Sequence, residues 1–208
     1  MANWIARAIA ASTVYLVLTS SSAATAQTKP TSTTALIDQH GQPFTLQQLR
    51  GKTVILNFIF STCPTVCPFQ THALGQVLKQ LPAPVRQRVH VLSVTLDPLR
   101  DDPATLRAFA ANHGVPLSHW TFVTGAEDAV AAFRAAYSPK RALPNVAAQP
   151  PTPLDHRTEV RLLTRQGKVL QTYRGVPLDV PRLVREIQVA DQLFEHDNAP
   201  NMPSATQE

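Results

Sequence analysis

The sequence predicts an α/β layer sandwich built on a mixed β-sheet. Three observations support this fold class: buried-strand and helical patterns alternate along residues 53–137, an alternating pair of strands follows at 158–175, and an amphipathic helix closes the domain. We expect one domain over residues 35–196, because about 160 residues are enough for one hydrophobic core.

The first half of the domain alternates strands and helices. Continuous apolar runs are typical of strands buried on both faces, and they occur at "TVILNFIF" (53–60), "VHVLSVTL" (89–96) and, more briefly, "WTFVTG" (120–125). Helical spacing follows each run, over residues 64–81, 101–114 and 126–137. The second helix has Asp102 as its cap, Pro103 at its first position and Gly114 at its end.

The second half begins with a break in the pattern. Residues 138–155 carry five prolines and no periodicity, which indicates an extended surface loop. The hairpin after it alternates apolar and polar residues on both sides of "RQGK", with Gly167 at the turn. A final helix over 179–196 has Pro181 in its first turn.

The amino terminus has the pattern of a secretory signal. A short start containing Arg7 precedes an apolar stretch over residues 8–18 and the tripeptide Ala24-Thr25-Ala26. We expect cleavage after Ala26, so that residues 1–26 are a signal peptide and the mature protein is exported. An uncleaved membrane anchor is the alternative, although the apolar stretch is short for a span of about 20 residues.

Two segments flank the expected domain: residues 27–34 are predicted to be a flexible lead-in, and residues 197–208 a disordered tail.

The charge pattern excludes one class of partner. The formal net charge is +5, but basic residues are scattered among acids without a run of like charges or a basic stripe with aromatics. Nucleic-acid binding requires such clustering, so we expect no nucleic-acid partner.

The two cysteines, Cys63 and Cys67, are the strongest functional signal. They lie where the first strand gives way to its helix, at the carboxyl edge where α/β sheets place their sites. Pro64 suits a first helical turn, and spacing of four would turn both sulfurs to one face of a helix. The helix amino end favours thiolates, so this arrangement predicts two accessible cysteines of low pKa.

Three interpretations of this pair remain open. A structural disulfide would close only a very short loop, where a cross-link stabilises least. A thiol–disulfide oxidoreductase is possible, although its common signature has two residues between the cysteines rather than three. A metal site is the third, since thiolates select Cu(I), zinc or iron–sulfur clusters, but it needs another donor.

His156 is the candidate for that third donor. It follows Asp155 where the proline-rich loop re-enters the sheet, and Asp155 could orient its ring. The other histidines have simpler explanations: His90 would pack within a strand, His72 turns away from the cysteine face, and the remaining four are expected in turns or near helix ends, namely His40, His113, His119 and His196.

Four motifs in order resemble the Sco/SenC family of copper-binding assembly proteins: "STCPTVCP" (61–68), "SVTLDPLRDDP" (93–103), "TFVTG" (121–125) and "LDHRTEVRLL" (154–163). The resemblance spans roughly residues 35–195. It implies a thioredoxin-like three-layer sandwich and one copper ion, Cu(I) or Cu(II), bound by Cys63, Cys67 and His156.

The resemblance also implies a role in assembling the copper centre of cytochrome c oxidase. The expected partner is the subunit that carries this centre, or another cuproprotein. Another copper chaperone or a thiol reductase is a further expected partner. A periplasmic location fits the signal peptide. Two features depart from the family: Arg157 replaces the usual Ser or Thr after the histidine, and the leader looks cleavable where an anchor is common.

These observations together predict a periplasmic copper metallochaperone rather than an enzyme. The alternative is a thiol–disulfide reductase that keeps the cysteines of a copper-site client reduced, with Cys63 and Cys67 as its redox-active pair and no need for His156. A copper or redox sensor is a third possibility, but the sequence offers no output element.

Overall fold

A seven-stranded mixed sheet forms the centre of the fold. The computed structural model describes residues 36–137 and 159–197. The strands lie across the sheet in the order β2-β1-β5-β4-β3-β6-β7. Strands β3, β4 and β5 are parallel, and each remaining pairing is antiparallel. The strands are β1 (Leu36–Asp38), β2 (Pro43–Phe44), β3 (Thr53–Ile59), β4 (Val89–Thr95), β5 (Trp120–Gly125), β6 (Glu159–Leu163) and β7 (Val169–Arg174).

Five α-helices connect or flank these strands: α1 (Val66–Gln80), α2 (Ala83–Gln87), α3 (Pro103–Asn112), α4 (Glu127–Tyr137) and α5 (Val180–Asp197). Short 3₁₀ turns occur at Leu46–Leu49 and Leu117–His119. None of the helices within the described ranges is long and apolar enough to cross a bilayer. The mixed sheet with its helices confirms the predicted α/β class.

The core is split into two apolar layers by the sheet. On one face, Ile55 and Ile59 pack with residues from α1, α3 and α5, including Leu74 and Ile187. On the other face, Leu56 packs with residues of the first 3₁₀ turn and α4. Successive strand side chains point to opposite faces, so a strand buried on both faces is apolar throughout. This explains the continuous apolar runs and gives the three-layer arrangement.

Most of the predicted boundaries agree with the structure. The Asp102 side chain accepts a hydrogen bond from the Thr105 amide at 2.7 Å and caps α3, which Pro103 begins. Gly167 has φ +82°, a left-handed conformation that suits glycine in the turn between β6 and β7. Helix α5 extends to Asp197, one residue into the predicted tail.

Several elements were not predicted: β1, β2, α2 and both 3₁₀ turns. They are too short for a hydrophobic period to identify them. The predicted leader 1–26, the lead-in 27–34, the loop 138–155 and the rest of the tail lie outside the described residues and remain predictions.

A buried ion cluster fixes the carboxyl-terminal helix to the sheet. Arg165, in the turn between β6 and β7, donates to Asp191 of α5 at 2.7 Å, and both side chains are less than a tenth exposed. Arg88, which precedes β4, donates to both oxygens of the same carboxylate at 2.8 and 2.5 Å. The hydrogen bonds from Arg88 and Arg165 outweigh burial and hold the pKa of Asp191 below its ordinary value.

The Asp191→Asn substitution should cost about 3 kcal/mol of unfolding free energy, because it removes the buried carboxylate from Arg165 and leaves the exposed Glu195 as its charged partner. Urea unfolding of the two proteins near pH 7 measures this loss. Since the folded pKa of Asp191 is depressed, the wild-type advantage should persist above the ordinary carboxyl pKa and shrink as the pH falls through the folded value. Arg182→Ala, at an exposed pair with Glu186, is the control and should change stability far less. Equal losses for both variants would contradict the prediction.

Candidate metal centre

The two cysteines lie on either side of the start of α1. Cys67 is the second residue of the helix, whereas Cys63 precedes it in the loop after β3. The prediction that Pro64 lies in the first helical turn is wrong. Thr65 is the residue before the helix and has φ −138° and ψ −65°, so the chain turns there before the helix begins.

The two sulfurs are nevertheless brought together. The backbone N–H of Cys67 donates to the Cys63 sulfur at 3.3 Å, and the Cys67 thiol also hydrogen bonds to it. The predicted convergence of the pair is therefore confirmed, but a turn before the helix produces it rather than a shared helix face. Both cysteines are free thiols in this structure.

The two thiols differ strongly in acidity. Burial would raise the pKa of Cys63, but hydrogen bonds from the amides of Cys67, Thr65 and Val66 and from the Cys67 thiol outweigh it, so the pKa lies below the ordinary value. Burial raises the pKa of Cys67 to about 12, and the neighbouring Cys63 and Asp101 add to this. The prediction of a low pKa is confirmed for Cys63 and wrong for Cys67, whose pKa is raised mainly by burial and further by the neighbouring Cys63.

The expectation of an accessible pair is also wrong for the residues described. Cys63 and Cys67 are each only 4% exposed and form part of the apolar layer beneath α1. Two large apolar side chains are exposed instead: Phe69, two residues after Cys67 in α1, at 68%, and Leu99, in the loop after β4, at 78%. The buried cysteines are therefore accompanied by an apolar side chain that faces solvent on α1 and by another on the neighbouring loop.

Asp101 fixes the loop that carries Cys63. Strands β3 and β4 are parallel with Ile59 opposite Thr95, so the loops after both strands lie at the same edge of the sheet. The fully buried Asp101 carboxylate accepts hydrogen bonds from the Ser61 amide at 3.1 Å, from the Ser61 hydroxyl, and from the Thr95 hydroxyl at 2.6 Å. This carboxylate joins the cysteine loop to the end of β4.

A chain of buried hydrogen bonds fixes the first turns of α1 to the sheet. The Trp120 indole donates to Ser93 at 2.9 Å, Ser93 donates to Asn57 at 2.6 Å, and Asn57 donates to Gln70 at 3.1 Å. Gln70 lies one turn after Cys67. Because an unpaired buried polar group is costly, this chain favours a single position of the helix on β3, β4 and β5.

The histidines of the described residues do not complete the site. No group of three potential metal donors occurs within residues 36–137 and 159–197. His72 is exposed and contacts Gln76, whereas His90 is buried in β4 and contacts the Thr121 hydroxyl at 2.8 Å, as its position in a strand predicts. His156, the predicted third ligand, lies outside the described residues, and its role remains a prediction.

Sequence reasoning missed Asp101 and Gln70 as supports of the site. Asp101 lies in the motif "SVTLDPLRDDP" (93–103), but only the adjacent Asp102 is predicted to have a role, as the cap of α3. A second acidic residue directly before a capped helix is the sequence feature that could have pointed to Asp101. For Gln70 the signal was weaker: a polar residue at an otherwise apolar helix position.

Comparison with known proteins identifies the family. The SCO1/SenC family profile matches residues 22–190, most of the chain. The chain belongs to the SCO1/SenC family. The SCO1 protein homolog of Bacillus subtilis is 31% identical over 145 residues, which cover 67% of this chain and 70% of the relative.

Solved structures of SCO1/SenC proteins share this fold. BsSco, described as a member of the Sco family of cytochrome c oxidase assembly proteins with a disulfide switch, matches with a TM-score of 0.61 and 27% identity, covering 76% of this chain and 91% of its own. Yeast Sco1 with copper bound matches with a TM-score of 0.58 and 27% identity, covering 83% and 94%. The predicted thioredoxin-like sandwich is therefore confirmed.

The unequal acidity of this SCO1/SenC cysteine pair gives a direct chemical prediction. In the reduced protein near pH 7, iodoacetamide should alkylate Cys63 much faster than Cys67, because the thiolate is the nucleophile and the two residues are equally buried. Peptide mass spectrometry over a time course measures both rates. As the pH rises, alkylation of Cys63 should level off below the ordinary thiol pKa, whereas that of Cys67 should still be increasing. The urea-unfolded chain is the control, and there the two rates should converge. Equal rates in the folded protein would contradict the assignment.

Proposed function

We propose that this SCO1/SenC protein is an exported copper metallochaperone that carries one copper ion on Cys63, Cys67 and His156. The observation that carries the proposal is the convergence of two free thiols at the start of α1. Sulfur donors are soft and select Cu(I), and an imidazole added to them suits a three-coordinate ion and can also hold Cu(II). The copper-bound yeast relative supports copper as the metal.

The chemistry of the pair suits loading and release. Cys63 offers a sulfur that is readily deprotonated, so it would contact an incoming ion first. Cys67 must lose its proton to the solvent or to the donor protein when it joins, because the thiolate is the metal ligand. A site that needs a proton to leave on loading can release copper when a proton returns, which favours transfer by ligand exchange over permanent storage.

The proposed acceptor is the copper centre of cytochrome c oxidase, or another cuproprotein outside the cytoplasm. The description of BsSco as a cytochrome c oxidase assembly protein supports this choice. The exposed Phe69 and Leu99 would contact the acceptor. Phe69 lies two residues after Cys67 in α1. Leu99 lies in the loop after β4, and Asp101 of the same loop hydrogen bonds to Ser61 in the cysteine loop. A predicted signal peptide over residues 1–26 supports a periplasmic location.

An anaerobic copper titration of the reduced protein tests the ligand set. Wild type should bind one copper per chain, and the Cu(II) form should show a sulfur-to-copper charge-transfer band. Cys63→Ser and Cys67→Ser should each abolish stoichiometric binding, whereas His156→Ala should weaken it about tenfold or more. His72→Ala is the matched control, because His72 is the histidine nearest the pair in sequence, is exposed and hydrogen bonds to Gln76. Full binding by either serine variant would refute the proposal.

The unequal acidity of the cysteines favours a second candidate, a thiol–disulfide reductase. The Cys63 thiolate would attack one sulfur of a client disulfide and release the other as a thiol. Cys67, once deprotonated, would then attack Cys63 of the mixed disulfide, which frees the reduced client and leaves a Cys63–Cys67 disulfide. A further dithiol must reduce that disulfide before the next cycle.

The His156→Ala variant separates the two functions. With copper absent and a dithiol regenerating the pair, a reductase should reduce an oxidised copper-site peptide equally fast with or without His156. If the protein is only a chaperone, adding the wild-type protein should not make reduction of the peptide faster than it is with the dithiol alone. Reduction that depends on Cys63 and is unaffected by His156→Ala would make the reductase the primary function.

A further inference from the structure

A cleft on the outer side of the fold is separate from the cysteine site. Its volume is about 310 Å³, and it lies between the second to fourth turns of α1 and the segment that links α3 to β5. Neither Cys63 nor Cys67 lines it. A volume of this size is at the lower end of the range for small-molecule sites.

The charged side chains that line the cleft are all basic. Lys79 of α1 and Arg86 of α2 face it, and no carboxylate belongs to its lining. Residues 39–96 and 103–126, which supply its walls, contain no aspartate or glutamate. Within the described part of the chain, neither cation forms a salt bridge. The carboxyl end of α3 contributes about half a negative charge, less than the two full positive charges.

Buried polar atoms without partners occur at the same place. Thr71 is 1% exposed and lines the cleft, and its hydroxyl has no hydrogen-bond partner among the described residues. The Nδ1 atom of His119, another lining residue, is also buried and has no partner in the part of the chain that the structure describes. Of the four such side-chain atoms in the described residues, two therefore belong to this cleft. Buried polar atoms normally have partners, so their concentration here indicates a ligand that supplies them.

The rest of the lining is mixed, with the polar residues His72, Gln76 and His113 and the apolar residues Leu78, Val115, Pro116 and Trp120. Leu78 and Trp120 are almost fully buried, so Val115 and Pro116 offer the apolar surface against which a ligand can pack. A cation is a poor fit, since Lys79 and Arg86 would repel it and no group of three metal donors occurs in the described residues. An anion with an apolar body satisfies both the charges and the walls.

We propose that this cleft binds a small organic anion that carries a carboxylate or phosphate on an apolar body. Lys79 and Arg86 pair with the anionic group, the Thr71 hydroxyl donates a hydrogen bond to one of its oxygens, and the apolar body packs against Val115 and Pro116. This binding does not use Cys63 or Cys67, so the cleft is a second ligand site, formed by the later turns of α1.

Phenyl phosphate is the probe, and Trp120 is the reporter because it is a fully buried residue that borders the cleft. The chain has only one other tryptophan, Trp4, so the Trp4→Phe chain makes the fluorescence specific. We expect saturable binding of one phenyl phosphate per chain, confirmed by calorimetry. Benzoate should also bind, inorganic phosphate should bind more weakly for lack of a body, and neutral benzyl alcohol should not bind measurably.

Charge-matched double variants test the cations. Lys79→Ala combined with Arg86→Ala should weaken phenyl phosphate binding by about tenfold or more. Lys168→Ala combined with Arg185→Ala removes the same charge from exposed positions elsewhere and should change affinity by less than about twofold. Copper stoichiometry should be unchanged in both. Equal weakening by the two pairs would show a general charge effect and overturn the proposal.

Thr71→Val provides a second test that separates binding from folding. Because the hydroxyl has no partner in the free protein, its removal should leave the melting temperature unchanged or raise it. Phenyl phosphate affinity should nevertheless fall several-fold, since the ligand loses a donor. A variant that melts normally and binds phenyl phosphate like wild type, or a wild type whose Trp120 signal never saturates, would refute the site.

Discussion

The hydrogen bond from the Cys67 amide to the Cys63 sulfur is the interaction on which the candidate metal centre depends. It spans the turn at Thr65 and joins a loop cysteine to a helical one, and both cysteines are free thiols. The two thiols also differ in pKa. Hydrogen bonds from the amides at the start of α1 lower the pKa of Cys63, whereas burial raises the pKa of Cys67. Two sulfurs held in this way suit both a soft ion and thiol exchange, so the two proposed functions would use the same residues.

That turn is held by rigid neighbours on both sides. The register of β3 against β4 sets the loops after them at one edge, and Asp101 joins them through Ser61 and Thr95. On the helix side, Gln70 ends a buried chain of hydrogen bonds that begins at Trp120. Sites supported by packed elements keep their geometry when a ligand leaves, and a protein that repeatedly binds and releases an ion needs such support.

Long elements could be predicted from the sequence because the central strands β3, β4 and β5 are largely apolar on both faces and each long helix has an apolar stripe. The cap at Asp102 and the turn at Gly167 followed from local backbone chemistry. The sequence predictions that are wrong concern two features that tertiary contacts determine, the start of α1 and the pKa of Cys67. Pro64 suited a helix start, but the turn that joins the two sulfurs delays the helix until Val66. The high pKa of Cys67 depends on burial and on its charged neighbour, neither of which spacing reveals.

Metal-edge X-ray absorption on the Cu(I)-loaded protein tests the central claim most directly, because it counts the donor atoms around the ion. The account predicts two sulfur donors and one nitrogen donor in wild type, with the nitrogen lost in His156→Ala and both sulfurs retained. A copper ion with fewer than two sulfur neighbours, or one that keeps its imidazole in His156→Ala, would contradict it.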